Sequence, residues 1–182
     1  LVRDATVVID TGSGHGPGFI ISKNGHILTN AHVVGRKKKF RIKFLNGSSF
    51  IGTVLRINNE LDVALLEIKD ALTQPIPISK KTLNITDEVY AIGAPLDKSN
   101  EGTVTKGIIS KFLPRGGVRI IQSDVSVHGG ESGGPLVDTS GNVVAITFAG
   151  LHMQSRKRSS GLNLFIPIED ALGAVGVKVT TN

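Results

Sequence analysis

The chain has 182 residues and a formal net charge of +6. Apolar residues make up 40% and charged residues 20%, a balance that fits a folded globular chain and excludes a disordered one. The absence of cysteine excludes a disulfide framework and a thiolate metal site, and no apolar run approaches the roughly 20 residues that span a bilayer.

Abundant Val and Ile with 22 glycines favour short strands joined by tight turns. Residues 5–10 are a β-branched run and read as the first strand. Residues 11–18 read as a turn-rich loop and 19–22 as the next strand. Asn24-Gly25 signals a two-residue hairpin turn, with 26–30 as the returning strand. Ala31–Val34 reads as a short helical turn. Strands at 40–45 and 49–57 flank a second turn, Asn46-Gly47, and 62–68 is a further apolar strand. Residues 71–82 hold Pro75 and Pro77 with little pattern and read as a linker between units 1–70 and 83–182. The second unit shows strands at 88–93, 102–112, 118–123, 135–137, 142–148 and 162–168. Residues 169–175 then have helical character, with apolar residues at 171, 172 and 175. Twelve short strands about one proline-bearing linker predict an all-β chain of two small barrels or sandwiches, although no sequence repeat relates the halves.

Two clusters carry much of the positive charge, Arg36-Lys37-Lys38-Lys39 and Arg156-Lys157-Arg158. Both are short and lack interleaved aromatics, so they read as solvated loops and nucleic acid is not expected as a partner. A basic module for polyanions, nucleic acid or an acidic membrane surface, through residues 36–39 and 156–158, is the competing reading, and its signature is affinity that falls steeply with salt.

The densest chemistry lies in Gly129-Gly130-Glu131-Ser132-Gly133-Gly134-Pro135-Leu136. Glycines at this density mark backbone that takes φ > 0 or passes close to a ligand. A serine there becomes a nucleophile when a base takes its proton and N–H groups hold the oxyanion. The N–H groups of Gly130 and Ser132 serve that purpose where the turn curls around the serine. Of five histidines, His32 stands out, because it follows an apolar strand that can aim it. His15 and His26 flank turns, His128 precedes the serine, and His152 lies in a basic loop. Asp62 opens an apolar strand, where a partly buried acid needs a partner; Asp10, Asp70, Asp87 and Asp97 have weaker contexts. Acid, imidazole and glycine-cradled serine have the roles of a Ser-His-Asp triad, in the chain order His32, Asp62, Ser132. The first two fall in the first unit and the serine in the second, which predicts a site between them.

These residues resemble the HtrA/Deg type of chymotrypsin-fold serine protease. The likeness rests on Gly18-Phe19-Ile20-Ile21-Ser22, on the stretch from Gly25 to Val34, on Asp62 to Ile68, on Gln122-Ser123-Asp124, on Gly130 to Leu136, and on Phe165-Ile166-Pro167-Ile168. It implies two six-stranded antiparallel β-barrels with a short C-terminal helix, and serine endopeptidase activity on proteins without metal or organic cofactor. Catalytic His32, Asp62 and Ser132 and oxyanion donors Gly130 and Ser132 follow from it. So does a primary specificity pocket from Ser126, Val127, His128, Thr147, Phe148, Ala149 and Gly150. None of these is acidic, so small or medium apolar side chains are expected before the cut. Glu131 stands where the family commonly has Asn. The pair Gly129-Gly130 makes the oxyanion loop easy to flip, so a resting state with an unformed hole is expected. The resemblance further implies a protein or peptide substrate, a PDZ domain or membrane anchor outside this chain, and a periplasmic or otherwise extracytoplasmic location of bacterial type. It leaves the oligomeric state open. A catalytically silent peptide-binding protein of the same fold is the other competing reading, and the complete set of three residues argues against it.

Overall fold

The computed structural model describes residues 2–94, 103–127, 133–148 and 163–178. β1 (Thr6–Asp10), β2 (His15–Ile20), β3 (His26–Thr29), β4 (Lys39–Lys43), β5 (Ser49–Asn58) and β6 (Val63–Ile68) form a closed barrel in the order β1-β2-β3-β6-β5-β4. β7 (Glu88–Ile92), β8 (Val104–Arg115), β9 (Val118–Ser123), β10 (Pro135–Val137), β11 (Val143–Thr147) and β12 (Asn163–Pro167) form a second, in the order β7-β8-β9-β12-β11-β10. Every ladder is antiparallel, and the pairings β1 with β4 and β7 with β10 close the sheets, which decides for barrels over sandwiches. Counted from its own first strand, each barrel has the same strand order. A repeated topology thus underlies two halves with no visible sequence repeat.

The strands form where alternation aims one face inward. In β4, Phe40 and Ile42 are buried while Lys39, Arg41 and Lys43 face solvent. β6 is paired on both sides and buries Val63, Ala64, Leu65 and Leu66. Fully burying one such Val or Leu side chain is worth about 1.5–3 kcal/mol relative to leaving it exposed. One apolar cluster runs from Ile9 and Phe19 of the first barrel through Ile76 to Phe148 and Ile166 of the second.

Three local expectations change. β2 begins at His15, so the loop is shorter than 11–18. Gly16 and Gly18 lie inside the β1–β2 ladder. A Cβ at Gly16 would meet Val33 at 2.8 Å and one at Gly18 would meet Ile27 at 2.9 Å, so close packing, not turning, requires these glycines. Second, Asn24-Gly25 does not form a two-residue turn. That turn needs φ > 0 at both central residues, and here Gly25 (φ 84) has it while Asn24 does not. Gly47 (φ 89) likewise ends a longer turn, closed by the Gly47 N–H to Phe44 O (3.0 Å) and the Phe44 N–H to Ser48 O (2.9 Å). Third, β8 continues through Pro114 to Arg115, and Gly116 (φ 55) and Gly117 (φ 82) supply the two-residue turn into β9.

The segment after β6 binds both barrels. The Ile76 N–H donates to Ile20 O at 3.0 Å, and Thr73 Oγ1 donates to Ser22 O at 2.8 Å. Farther on, the Ser79 N–H donates to Val143 O (2.9 Å) and the Val143 N–H to Pro77 O (2.8 Å). Helix α1 (Ala31–Val34) follows β3, and α2 (Ile168–Ala174) closes the described chain, burying Ile168, Ala171 and Leu172. Among the described residues no helix is long and apolar enough to cross a membrane.

Candidate active site

β3 ends at Thr29, and α1 begins two residues later. The short helix presents the His32 side chain at the surface, 41% exposed, against an Asp62 side chain that is only 10% exposed. Asp62 sits before β6 with φ 57, a left-handed conformation that Asp tolerates better than most side chains. That turn aims the carboxylate at α1. His32 Nδ1 lies 2.7 Å from Asp62 Oδ2, and the His32 main-chain N–H donates to Asp62 Oδ1 at 2.9 Å. The Asp62 carbonyl accepts from the Ala31 N–H at 3.1 Å and from Asn30 Nδ2 at 2.8 Å. Four hydrogen bonds therefore tie Asp62 to residues 30–32, one of them to the imidazole. An ionised carboxylate only accepts, so Nδ1 carries the proton and Nε2 is left as the basic nitrogen.

Asn30 is the residue that sequence reasoning missed; in the sequence it is legible only as the polar end of the strand 26–30. It is fully buried. Asn is a common helix N-cap, yet here its side chain makes no cap hydrogen bond. Its amide instead bridges the barrels, donating to Asp62 O at 2.8 Å and to Thr147 O at 2.7 Å. Its Oδ1 is buried and finds no partner among the described residues. We expect Asn30→Ala to lower stability by about 1–3 kcal/mol, because the Thr147 carbonyl loses its side-chain donor while the Asp62 carbonyl keeps the Ala31 N–H. Urea unfolding with a midpoint equal to the wild type would show that the bridge is idle.

Ser132, Gly130, His128, Ala149 and Gly150 lie outside the described residues, as do Asp97 and His152. Gly133 is described, with φ 107. A Cβ on it would stand 2.7 Å from Pro17 O, 2.9 Å from Thr29 Oγ1 and 3.3 Å from the Asn30 nitrogen. The residue after Ser132 is thus packed on the backbone that leads to His32, with no room for a side chain. Upstream, the segment before the serine is pinned to the second barrel. Thr105 Oγ1 donates to Ser126 O at 2.5 Å, and Asn163 Nδ2 donates to Val125 O at 2.8 Å. Val127 packs against the second barrel's core. Thr147 is buried and its carbonyl holds Asn30. The Phe148 ring lies in the core with the Arg115 guanidinium 5.6 Å from its centroid.

The remaining polar residues have other partners. His26 Nδ1 is 2.7 Å from Ser22 Oγ, and His15 is exposed. The Asp10 carboxyl is held below its usual range by the Gly12 N–H and by Lys43, 3.1 Å away. Asp87 accepts from the Asn84 N–H at 2.8 Å. Among the described residues no group of three His, Asp or Glu could hold a metal ion. A cavity of about 330 Å³ opens between the β8–β9 hairpin and α2, lined by Leu83, Phe112, Arg119, Ile121 and Asp170 among others, and touches none of the site residues.

Known proteins resemble this chain. A trypsin-like peptidase domain is recognised over residues 16–146. The serine protease HTR4 of Rattus norvegicus is 34% identical over 166 residues, covering 85% of this chain and 32% of the rat protein. The putative serine protease HhoB of a Synechocystis strain is 35% identical over 167 residues, covering 87% of this chain and 38% of its own length. The chain therefore spans well under half of these relatives. The crystal structure of a serine endoprotease from Yersinia pestis superposes with a TM-score of 0.78 at 31% identity, over 94% of this chain and 61% of that one. The described geometry and these likenesses agree: the chain belongs to the trypsin-like peptidase family, among the HtrA/Deg serine proteases.

Proposed function

We propose that the protein is a serine endopeptidase that cuts protein substrates with His32, Asp62 and Ser132. The observation that carries this is the clamp of Asp62 on His32, which leaves Nε2 as a base. The packing of Gly133 against Thr29 and Asn30 supports Ser132 as its partner. The units 1–70 and 83–182, joined by 71–82, divide the work between base and nucleophile.

Ser132 Oγ attacks the scissile carbonyl carbon while Nε2 takes its proton. The carbonyl oxygen becomes an oxyanion, held by the N–H groups of Gly130 and Ser132. Asp62 stabilises the imidazolium without taking its proton. Collapse breaks the C–N bond, and the leaving amine takes the proton from Nε2. Water then repeats the sequence to free the acid and regenerate Ser132. The pocket of Ser126, Val127, His128 and Thr147 to Gly150 offers no acidic side chain, so small or medium apolar residues precede the cut. The glycine pair at 129–130 supports a resting state with an unformed oxyanion hole that bound peptide completes. The family resemblance supports an extracytoplasmic place of work and a PDZ domain or anchor beyond this chain.

A fluorophosphonate probe tests the assignment. Wild-type protein is expected to hydrolyse casein and to take the label on Ser132, mapped by peptide mass. Casein hydrolysis with the label elsewhere would reject Ser132 as nucleophile. A peptide-library profile dominated by Lys or Arg before the cut would reject the pocket reading.

A further inference from the structure

The outer face of the first barrel carries charge that peptide hydrolysis does not use. Arg36, Lys37, Lys38, Lys39, Arg41 and Lys43 are all exposed. The sequence shows only the run at 36–39 as a cluster. The fold extends it, because the period of β4 turns Lys39, Arg41 and Lys43 to the same side, about 7 Å apart. Among the described residues, Lys43 alone of the six has a carboxylate within ion-pairing distance, Asp10 at 3.1 Å. Lys37 lies over the Phe40 ring, 5.4 Å from its centroid.

Exposed apolar side chains adjoin this row. Ile51 on β5 is directly opposite Arg41 in the ladder and is 57% exposed. Leu45 follows β4 in the turn and is 40% exposed. Phe44 and Phe50 meet edge to face at 5.5 Å beside the same turn, but Phe50 is opposite Ile42 in the ladder and so lies on the other face. A soluble polyanion would be served by the cations alone. Exposed Leu45 and Ile51 beside a row of Lys and Arg instead match the boundary between anionic headgroups and acyl chains.

We propose that the β4–β5 hairpin docks this barrel on an anionic phospholipid surface. Leu45 and Ile51 enter the headgroup–acyl boundary, and Lys39, Arg41 and Lys43 pair with lipid phosphates. Neither set of residues belongs to the active site, so docking and hydrolysis are separable.

The test is sedimentation of the chain with vesicles of phosphatidylcholine alone or mixed with phosphatidylglycerol. Binding is expected only to the mixed vesicles, and high salt is expected to weaken it. Joint substitution Lys39→Glu, Arg41→Glu and Lys43→Glu should lower partitioning about a hundredfold or more. The pair Leu45→Ser and Ile51→Ser should lower it about tenfold while leaving retention on immobilised heparin unchanged. Unchanged thermal unfolding midpoints verify that the variants are folded. Failure to bind mixed vesicles overturns the proposal. So does binding that ignores Leu45 and Ile51, which would assign the face to soluble polyanions instead.

Discussion

Ser132→Ala is expected to reduce casein hydrolysis about 10⁶-fold, to a level that ordinary assays read as zero. The change removes one oxygen and adds no volume, so unfolding should be unaffected. The size of the loss has a physical cause. Without Oγ there is nothing for the His32 base to activate, and no acyl intermediate divides the reaction into two easier steps. What remains is substrate positioning and the oxyanion donors, which still give roughly 10³–10⁴ over water. A variant with wild-type turnover would remove Ser132 from the mechanism.

Asp62→Asn is the sharper probe, because it leaves the shape of the site in place. Asn tolerates the left-handed backbone that Asp62 adopts at φ 57. Its side-chain oxygen can still accept from the His32 main-chain N–H, as Asp62 Oδ1 does at 2.9 Å. The other position changes sign. An amide NH₂ would face His32 Nδ1, where Asp62 Oδ2 now lies at 2.7 Å. Two donors cannot share that contact, so the imidazole adopts the tautomer with its proton on Nε2 and loses its basic face toward the serine. About 10⁴ in kcat is the expected cost, with KM little changed. A loss below tenfold would show that Asp62 holds the helix in place without setting the tautomer. Asp62→Ala tells the two roles apart, because it also leaves the His32 main-chain N–H without its acceptor and should lower stability as well.

Much of this fold was legible because β-branched runs and turn residues punctuate the chain locally. The run 118–123 predicts its strand to the residue, and Ala171, Leu172 and Val175, all of which are buried, predict the helical segment. The errors fell where a local signal had two meanings. Gly16-Pro17-Gly18 looks like a loop, yet its glycines serve close packing against Val33 and Ile27 inside a ladder. Asn24-Gly25 looks like a two-residue turn, yet only the glycine has positive φ. Linker 71–82 looks patternless because its order comes from hydrogen bonds to Ile20, Ser22 and Val143, which are distant in sequence.

Strand count, the two-unit division as an expectation, and the residue types needed for acyl transfer are all legible in the residues alone. These depend on short-range preference and on side-chain chemistry, and both are written residue by residue. Long-range packing fixes how the elements meet. It chose barrels over sandwiches, gave both the same strand order, and brought Asp62 onto His32 across thirty residues. It also spent the Asn30 amide on a bridge to Thr147, 117 residues away. A buried donor must find an acceptor, and which carbonyl stands within reach is fixed only when both barrels have closed.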